Sequence, residues 1–119
     1  GVGFAALTVL GARRRPGIEV VLELVGFADH LAGAALVVTG EGALDAQTLH
    51  GKAPAGVAAA ARAAGVPVVA VCGRCEVSRA ELAAAGIREV HALLDREPDP
   101  ARCLAEAGAL LRGIGAGLV

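Results

Sequence analysis

The sequence predicts an α/β domain: a parallel β-sheet with helices on both faces, a Rossmann-like layer. Three observations carry that expectation. Short apolar runs rich in β-branched residues fall at 36–39, 66–73 and 87–94, and the middle one, VPVVAVCG, lacks alternation, as expected of a strand buried on both faces. Helical stretches separate the runs, and a helical stretch follows the last one. The order β-α-β-α-β-α implies parallel strands joined by crossover helices.

Taken in order, residues 4–13 have helical spacing at Phe4, Leu7 and Leu10 and run into Arg13-Arg14-Arg15. That basic run is expected at a solvated helix C-terminus, favoured by the dipole, with anion binding as its alternative role. Pro16-Gly17 marks a turn, and Pro16 suits the start of a new helix. Residues 18–27 are rich in Val, Ile and Leu, which suits a strand. Glu19 and Glu23 stand four apart on one helical face, however, and the helix reading is taken. Residues 27–33 close that helix and turn the chain, and 36–39 is the first strand.

Residues 47–64 form the longest helical stretch, with Asp45 or Thr48 as its cap and Gly65 as its stop. Pro54 is tolerated only early in a helix, so the residues before Ala53 are expected to form an irregular loop. After the second strand, Ser78 and Glu81 have capping-box spacing ahead of a short helix. The third strand, 87–94, is followed by Pro98 and Pro100, and residues 101–118 form a closing helix with Leu104, Leu111 and Leu118 at heptad spacing.

One domain spanning 1–119 is expected from the length. A hydrophobic fraction of 55% argues against disorder, and only Phe4 and Phe27 are aromatic, so the core must be built from Val, Leu, Ile and Ala. A net charge of −1 gives no long-range pull toward nucleic acid or an anionic membrane. Apolar stretches are broken well short of the ~20 residues a membrane span needs. No basic region precedes the apolar N-terminal residues, so no signal peptide is read and a cytoplasmic location is expected. With no Met anywhere, the chain is expected to be a piece of something longer, cut at its N-terminal side.

Residues 36–54, LVVTGEGALDAQTLHGKAP, concentrate the scarce hydrogen-bonding side chains. Of the five Ser, Thr and Gln residues in the chain, Thr39, Gln47 and Thr48 lie here, and so does the one lysine, Lys52, among ten arginines. The strand is expected to break into a turn at Gly40-Glu41-Gly42, and a strand feeding a glycine turn and a helix is where open α/β sheets hold ligands. Glycine amides can approach an anion closely, although a tight turn with no ligand fits the same residues. The segment is neither a Walker loop nor a dinucleotide fingerprint, because Lys52 is followed by Ala53 and GEGALD lacks the third glycine.

Lys52 is a candidate cation for a transferring phosphoryl group, against the plain reading of a surface lysine. Glu41 and Asp45 are candidates to hold Mg²⁺ through water or to act as base on a hydroxyl; their plain roles are a solvated turn residue and a cap. Gln47, Thr48 and Thr39 are candidate donors to phosphate or carboxylate oxygens; their plain role is capping. His50 reads as a loop histidine.

Cys72 and Cys75 have CxxC spacing. A zinc site would need two further ligands, and only Cys103 and His91 offer themselves, without paired spacing. A thioredoxin-type site is the other functional reading, against small buried residues at a strand end.

The segment LVVTGEGALDAQTLHGKAPAGVA resembles the hallmark of type I glycerate kinases, of the form TGEG-x-[LI]-D-x-QT-x-x-GK-x-P-x-GVA. The flanks RPGIEVVLELVGFADHLAGA and VPVVAVCG resemble the neighbouring family segments. The resemblance covers nearly the whole chain and corresponds to the last third of a family member. It implies the C-terminal part of a two-domain kinase that phosphorylates D-glycerate, usually at the 2-hydroxyl, with ATP and Mg²⁺ in an interdomain cleft.

By the same resemblance Gly40, Glu41, Gly42, Asp45, Gln47, Thr48 and Lys52 line that cleft. In the proposed mechanism Asp45 or Glu41 orients the hydroxyl or the metal, and Lys52 with the Gly40 and Gly42 amides holds anionic oxygens. No further metal ligands are assigned. The resemblance also implies a partner, the remaining N-terminal part of the enzyme, without which this piece is not expected to turn over. Ala43 stands where the family commonly carries Arg, and the CxxC is not part of the family pattern. A non-catalytic α/β module that binds an anion or nucleotide is the alternative reading.

Overall fold

Three parallel strands lie in the order β1-β2-β3, built from Val37–Leu44, Val68–Cys75 and Glu89–Ala92. The computed structural model describes residues 2–118. Helices α1 (Val2–Val9), α2 (Gly17–Leu24) and α3 (Phe27–Leu31) precede the sheet. Helix α4 (Ala53–Ala63) joins β1 to β2, α5 (Arg79–Ala84) joins β2 to β3, and α6 (Pro100–Gly117) closes the chain.

The register pairs Val37 with Val68 and Thr39 with Ala70, and it carries on through Glu41 with Cys72 to Leu44 with Cys75. One face of β2 presents Val68, Ala70 and Cys72 to Ala58 and Ala61 of α4 and Leu82 of α5. The other presents Val71 to Leu93 and to Cys103 and Ile114 of α6. Helices therefore cover both faces, as expected from the β-α-β-α-β-α order. Leu44, Ile87, Val68 and Val69 are fully buried, each worth about 1.5–3 kcal/mol of transfer free energy. On β1 the α6-side cover runs out: Val38 is 53% exposed and Gly40 is exposed.

Several local expectations hold. Ser78 and Glu81 form a reciprocal capping box on α5. The closing helix is present as α6, and its cap, not read from the sequence, is Asp99, accepting from the amides of Ala101 at 2.9 Å and Arg102 at 3.0 Å. Gly65, at φ +72°, stands just past α4 where a left-handed residue is needed. Residues 17–24 are helical, as the Glu19–Glu23 spacing indicates.

Others are corrected. The basic run is not a helix C-terminus, because α1 ends at Val9 and residues 11–16 are irregular. Arg15 instead pairs forward with Glu23 at 2.8 Å and Glu19 at 4.0 Å on α2. The longest helix is α6, because the turn at 46–51 and Pro54 delay α4 to Ala53. β2 starts two residues late and runs on to Cys75. β3 is only four residues, and Leu93–Asp95 turns as 3₁₀ helix.

Of the heptad leucines, Leu118 packs with the cluster under α6, but Leu104 and Leu111 do not. Leu104 is 80% and Leu111 47% exposed, whereas Cys103, Ala107, Leu110 and Ile114 face the sheet. Steps of three and four along a straight helix select that stripe.

Candidate functional site

The strand β1 does not stop before Gly40. It continues through Gly40-Glu41-Gly42 to Leu44, so the expected glycine turn is corrected to strand. Neither glycine has positive φ. Their smallness serves close packing between strands. A Cβ on Gly73 of β2 would lie 2.6 Å from the carbonyl oxygen of Gly42, and one on Gly40 would lie 3.3 Å from that of Val71. The turn glycine is Gly51, at φ +87°.

The polar residues gather just beyond the C-terminal end of β1, around Thr48. Thr48 is fully buried, the one buried polar residue among those described. Its amide donates to Asp45 Oδ1 at 2.7 Å, and its hydroxyl reaches the same oxygen at 2.9 Å and the Ala43 carbonyl at 3.2 Å. Asp45 therefore caps the turn at 46–51 rather than helix α4. These hydrogen bonds from Thr48, together with the charge of Lys52, hold the Asp45 carboxyl below its ordinary value, against a smaller opposing effect of burial.

Lys52 Nζ lies 4.0 Å from Asp45 Oδ1, both side chains being partly exposed. Lysine and aspartate thus share one side of the molecule. Glu41 is exposed, and its Oε1 accepts from the Gly42 amide at 3.2 Å. That amide is therefore taken by the carboxylate next to it in the strand. Gln47 and His50 are exposed on the turn, and its backbone is closed by the His50 amide donating to the Gln47 carbonyl at 3.0 Å.

Sequence reasoning missed one feature. Lys52 itself occupies the N-cap of α4, and no side chain caps the helix. In its first turn Pro54 has no amide hydrogen and Gly56 donates to the Lys52 carbonyl at 3.2 Å, so the Ala53 and Ala55 amides are left for another acceptor, and the helix dipole favours a negative one. The signal was present in Gly51-Lys52-Ala53-Pro54, which offers none of the usual capping oxygens at the helix start. Beside this end, Pro54 is fully buried. A Cβ on Gly56 would lie 2.5 Å from Ile18 Cγ1 of α2, so α2 fixes the direction of α4 by close contact.

The arrangement sets Lys52, with Asp45 beside it, at the uncapped N-terminus of α4, where the helix dipole favours an anion. No group of three or more His, Cys, Asp and Glu side chains is placed to hold a metal ion among the described residues.

The CxxC does not form a redox centre. Both cysteines lie in β2 rather than opening a helix. Cys72 is 2% exposed, and burial, with Cys75 beside it, pushes its thiol up to about 11. Reactive cysteines show the reverse shift.

Comparison with known proteins agrees with the motif. The sequence model of the glycerate kinase family matches residues 1–119. An uncharacterised protein of Mycobacterium bovis is 38% identical over 114 residues, 96% of this chain and 30% of that protein. The glycerate kinase of Bacillus subtilis is 49% identical over 73 residues, 61% of this chain and 19% of the relative. The glycerate 2-kinase of Escherichia coli is 41% identical over the same shares.

A crystal structure of a candidate glycerate kinase 2 from Salmonella typhimurium LT2 superposes with a TM-score of 0.57 at 30% identity. The match covers all of this chain and 32% of that one. The chain therefore spans between about a fifth and a third of the length of these relatives. With the motif, the parallel sheet and a match running from end to end, this chain belongs to the glycerate kinase family.

Proposed function

We propose that this chain supplies one wall of an active site that phosphorylates D-glycerate, with the product phosphorylated at the 2-hydroxyl. The observation that carries the proposal is the corner where Lys52, Asp45 and the uncapped N-terminus of α4 meet. Family membership supports the reaction, and a relative bearing the name glycerate 2-kinase supports the position.

The residues divide by chemistry. Lys52 and the first-turn amides of α4 receive phosphate or carboxylate oxygens and offset their charge. Asp45 is held ionised by Thr48, and a carboxyl below its ordinary range is a poor proton acceptor at neutral pH. Its part is to fix Lys52 and the turn. Glu41, exposed on the strand beside Gly42, is the better placed of the two to orient the substrate hydroxyl.

A nucleotide with Mg²⁺ suits this donor set. Mg²⁺ commonly takes one or two carboxylates plus phosphate oxygens, and Glu41 and Asp45 are the carboxylates available. ATP would supply the transferable phosphoryl group and Mg²⁺ would neutralise its charge. The remaining part of the family protein, on the N-terminal side, is expected to form the facing wall, in the cytoplasm.

In the complete enzyme Lys52→Ala should lower kcat/KM by about a hundredfold or more, the scale of losing one charge-stabilising group. Near-normal turnover would overturn the assignment. Undiminished binding of nucleotide and glycerate with no turnover in the unaltered complete protein would favour a binding module instead.

A further inference from the structure

At the opposite end of the sheet a cavity of about 870 Å³ opens between α4, α5 and the N-terminal ends of β2 and β3. That volume is within the range of small-molecule sites, roughly 300–1,000 Å³. Its floor is apolar, with Val68, Leu82 and Ile87 buried. Three arginines line it: Arg62 from the last turn of α4, Arg79 from the start of α5 and Arg88 from the loop before β3.

None of the three has a carboxylate within 4.0 Å among the described residues, whereas Arg15, Arg74 and Arg102 each do. Glu89 is the one acid on the rim, and its Oε1 is turned to His91 Nε2 at 3.1 Å. The register explains the turn, since Glu89 pairs with Val69 and His91 with Val71, on the face away from α4 and α5.

The backbone makes room for one of the cations. Gly86, at φ +87°, lies under the stem of Arg62, whose Cδ would be 3.5 Å from a Cβ there. Gly65 has nothing within 4 Å of a hypothetical Cβ, so the mouth is free of side chain at that point. One arginine at a helix C-terminus, Arg62, is accounted for by the dipole. The dipole does not account for Arg79, at a helix start, or for Arg88, in a loop, on the rim of the same cavity.

We propose that this cavity binds a small organic polyanion, with two or three phosphate or carboxylate groups on the guanidiniums and its carbon body over Val68, Leu82 and Ile87. Arginine forks match both groups in geometry. The site is separate from the Lys52 corner and does not depend on the reaction proposed there.

The test is a titration of the full chain, as encoded, with inorganic pyrophosphate and, in a second arm, with citrate, followed by amide NMR. Binding in either arm should move the Gly65, Gly86 and Arg88 resonances, and the two arms separate phosphate from carboxylate recognition. The triple variant R62Q/R79Q/R88Q should weaken binding at least tenfold, and R88Q alone, at an exposed loop position, about threefold. K52A should leave these shifts unchanged while removing any at residues 40–56. Shifts confined to 40–56 in both arms, or affinity unchanged in both R88Q and the folded triple variant, would overturn the proposal. Loss of turnover in K52A bears on the other site alone.

Discussion

Thr48 holds one oxygen of Asp45 twice, through its amide at 2.7 Å and its hydroxyl at 2.9 Å, while Lys52 stands 4.0 Å away on the same oxygen. A fully buried threonine thereby positions an ionised aspartate, and the aspartate positions the lysine. The chain's polar chemistry at the end of β1 rests on this contact.

Thr48→Val keeps the shape and removes the hydroxyl. It should cost about 1–3 kcal/mol, since one buried hydroxyl is lost that donates to Asp45 Oδ1 or the Ala43 carbonyl and accepts from the Asp45 amide. Urea unfolding measures the loss. An unchanged midpoint would show that the hydroxyl contributes nothing to the turn.

The same variant changes the acid limb of stability. The folded-state pKa of Asp45 is below its ordinary 3.8. A depressed carboxyl contributes stability that is present above the unfolded-state pKa and lost as pH falls through the folded-state value. Carboxyl NMR titration should place Asp45 below 3.8 in the native chain and move it up in Thr48→Val, with a shallower loss of stability below pH 4 attributable to this group. An Asp45 that titrates normally in the native chain would contradict the hydrogen-bond geometry.

Gly73→Ala should disturb the sheet at its functional end. The new Cβ would meet the Gly42 carbonyl oxygen at 2.6 Å, a backbone atom that cannot rotate aside. Overpacking of this kind costs about 1–3 kcal/mol. Amide exchange should rise along residues 40–44 before the rest of β1, and uniform protection across the strand would refute the contact.

Asp99→Ala removes both side-chain bonds at the start of α6 and should cost about 1 kcal/mol. The effect belongs to the second face of the sheet, where α6 covers Leu93 with Cys103 and Ile114. A urea midpoint equal to that of the unaltered chain would mean that Pro100 alone suffices to start the helix.

Cys72 should resist iodoacetamide at pH 7.5 in the native chain and react only after unfolding. It is 2% exposed, and its thiol is pushed up to about 11. Peptide mass measurement after timed labelling distinguishes it from Cys75, which is partly exposed. Rapid native labelling of Cys72 would restore the redox reading of the CxxC.

Much of the fold was legible in the residues themselves because its causes are local. The unalternating apolar run before Cys72 marks a strand buried on both faces, and Ser78 with Glu81 specifies its capping box within four residues. Gly65 ends α4 for want of a Cβ, and Pro54 pins the helix start close to Lys52. The polar gathering between Glu41 and Lys52 was visible as composition alone. What the tertiary structure decided was which partner each group meets. Gly40 and Gly42 became strand rather than turn because β2 offered a parallel ladder as far as Cys75. Asp45 became the anchor of Thr48 rather than a helix cap, leaving the N-terminus of α4 open beside Lys52. Leu104 and Leu111 lost the buried stripe to Cys103 and Ile114 because the face of α6 that meets the sheet is chosen by packing across it. Hydrogen bonds between near neighbours are written in sequence spacing, whereas the pairing of distant segments is set by which surfaces bury together.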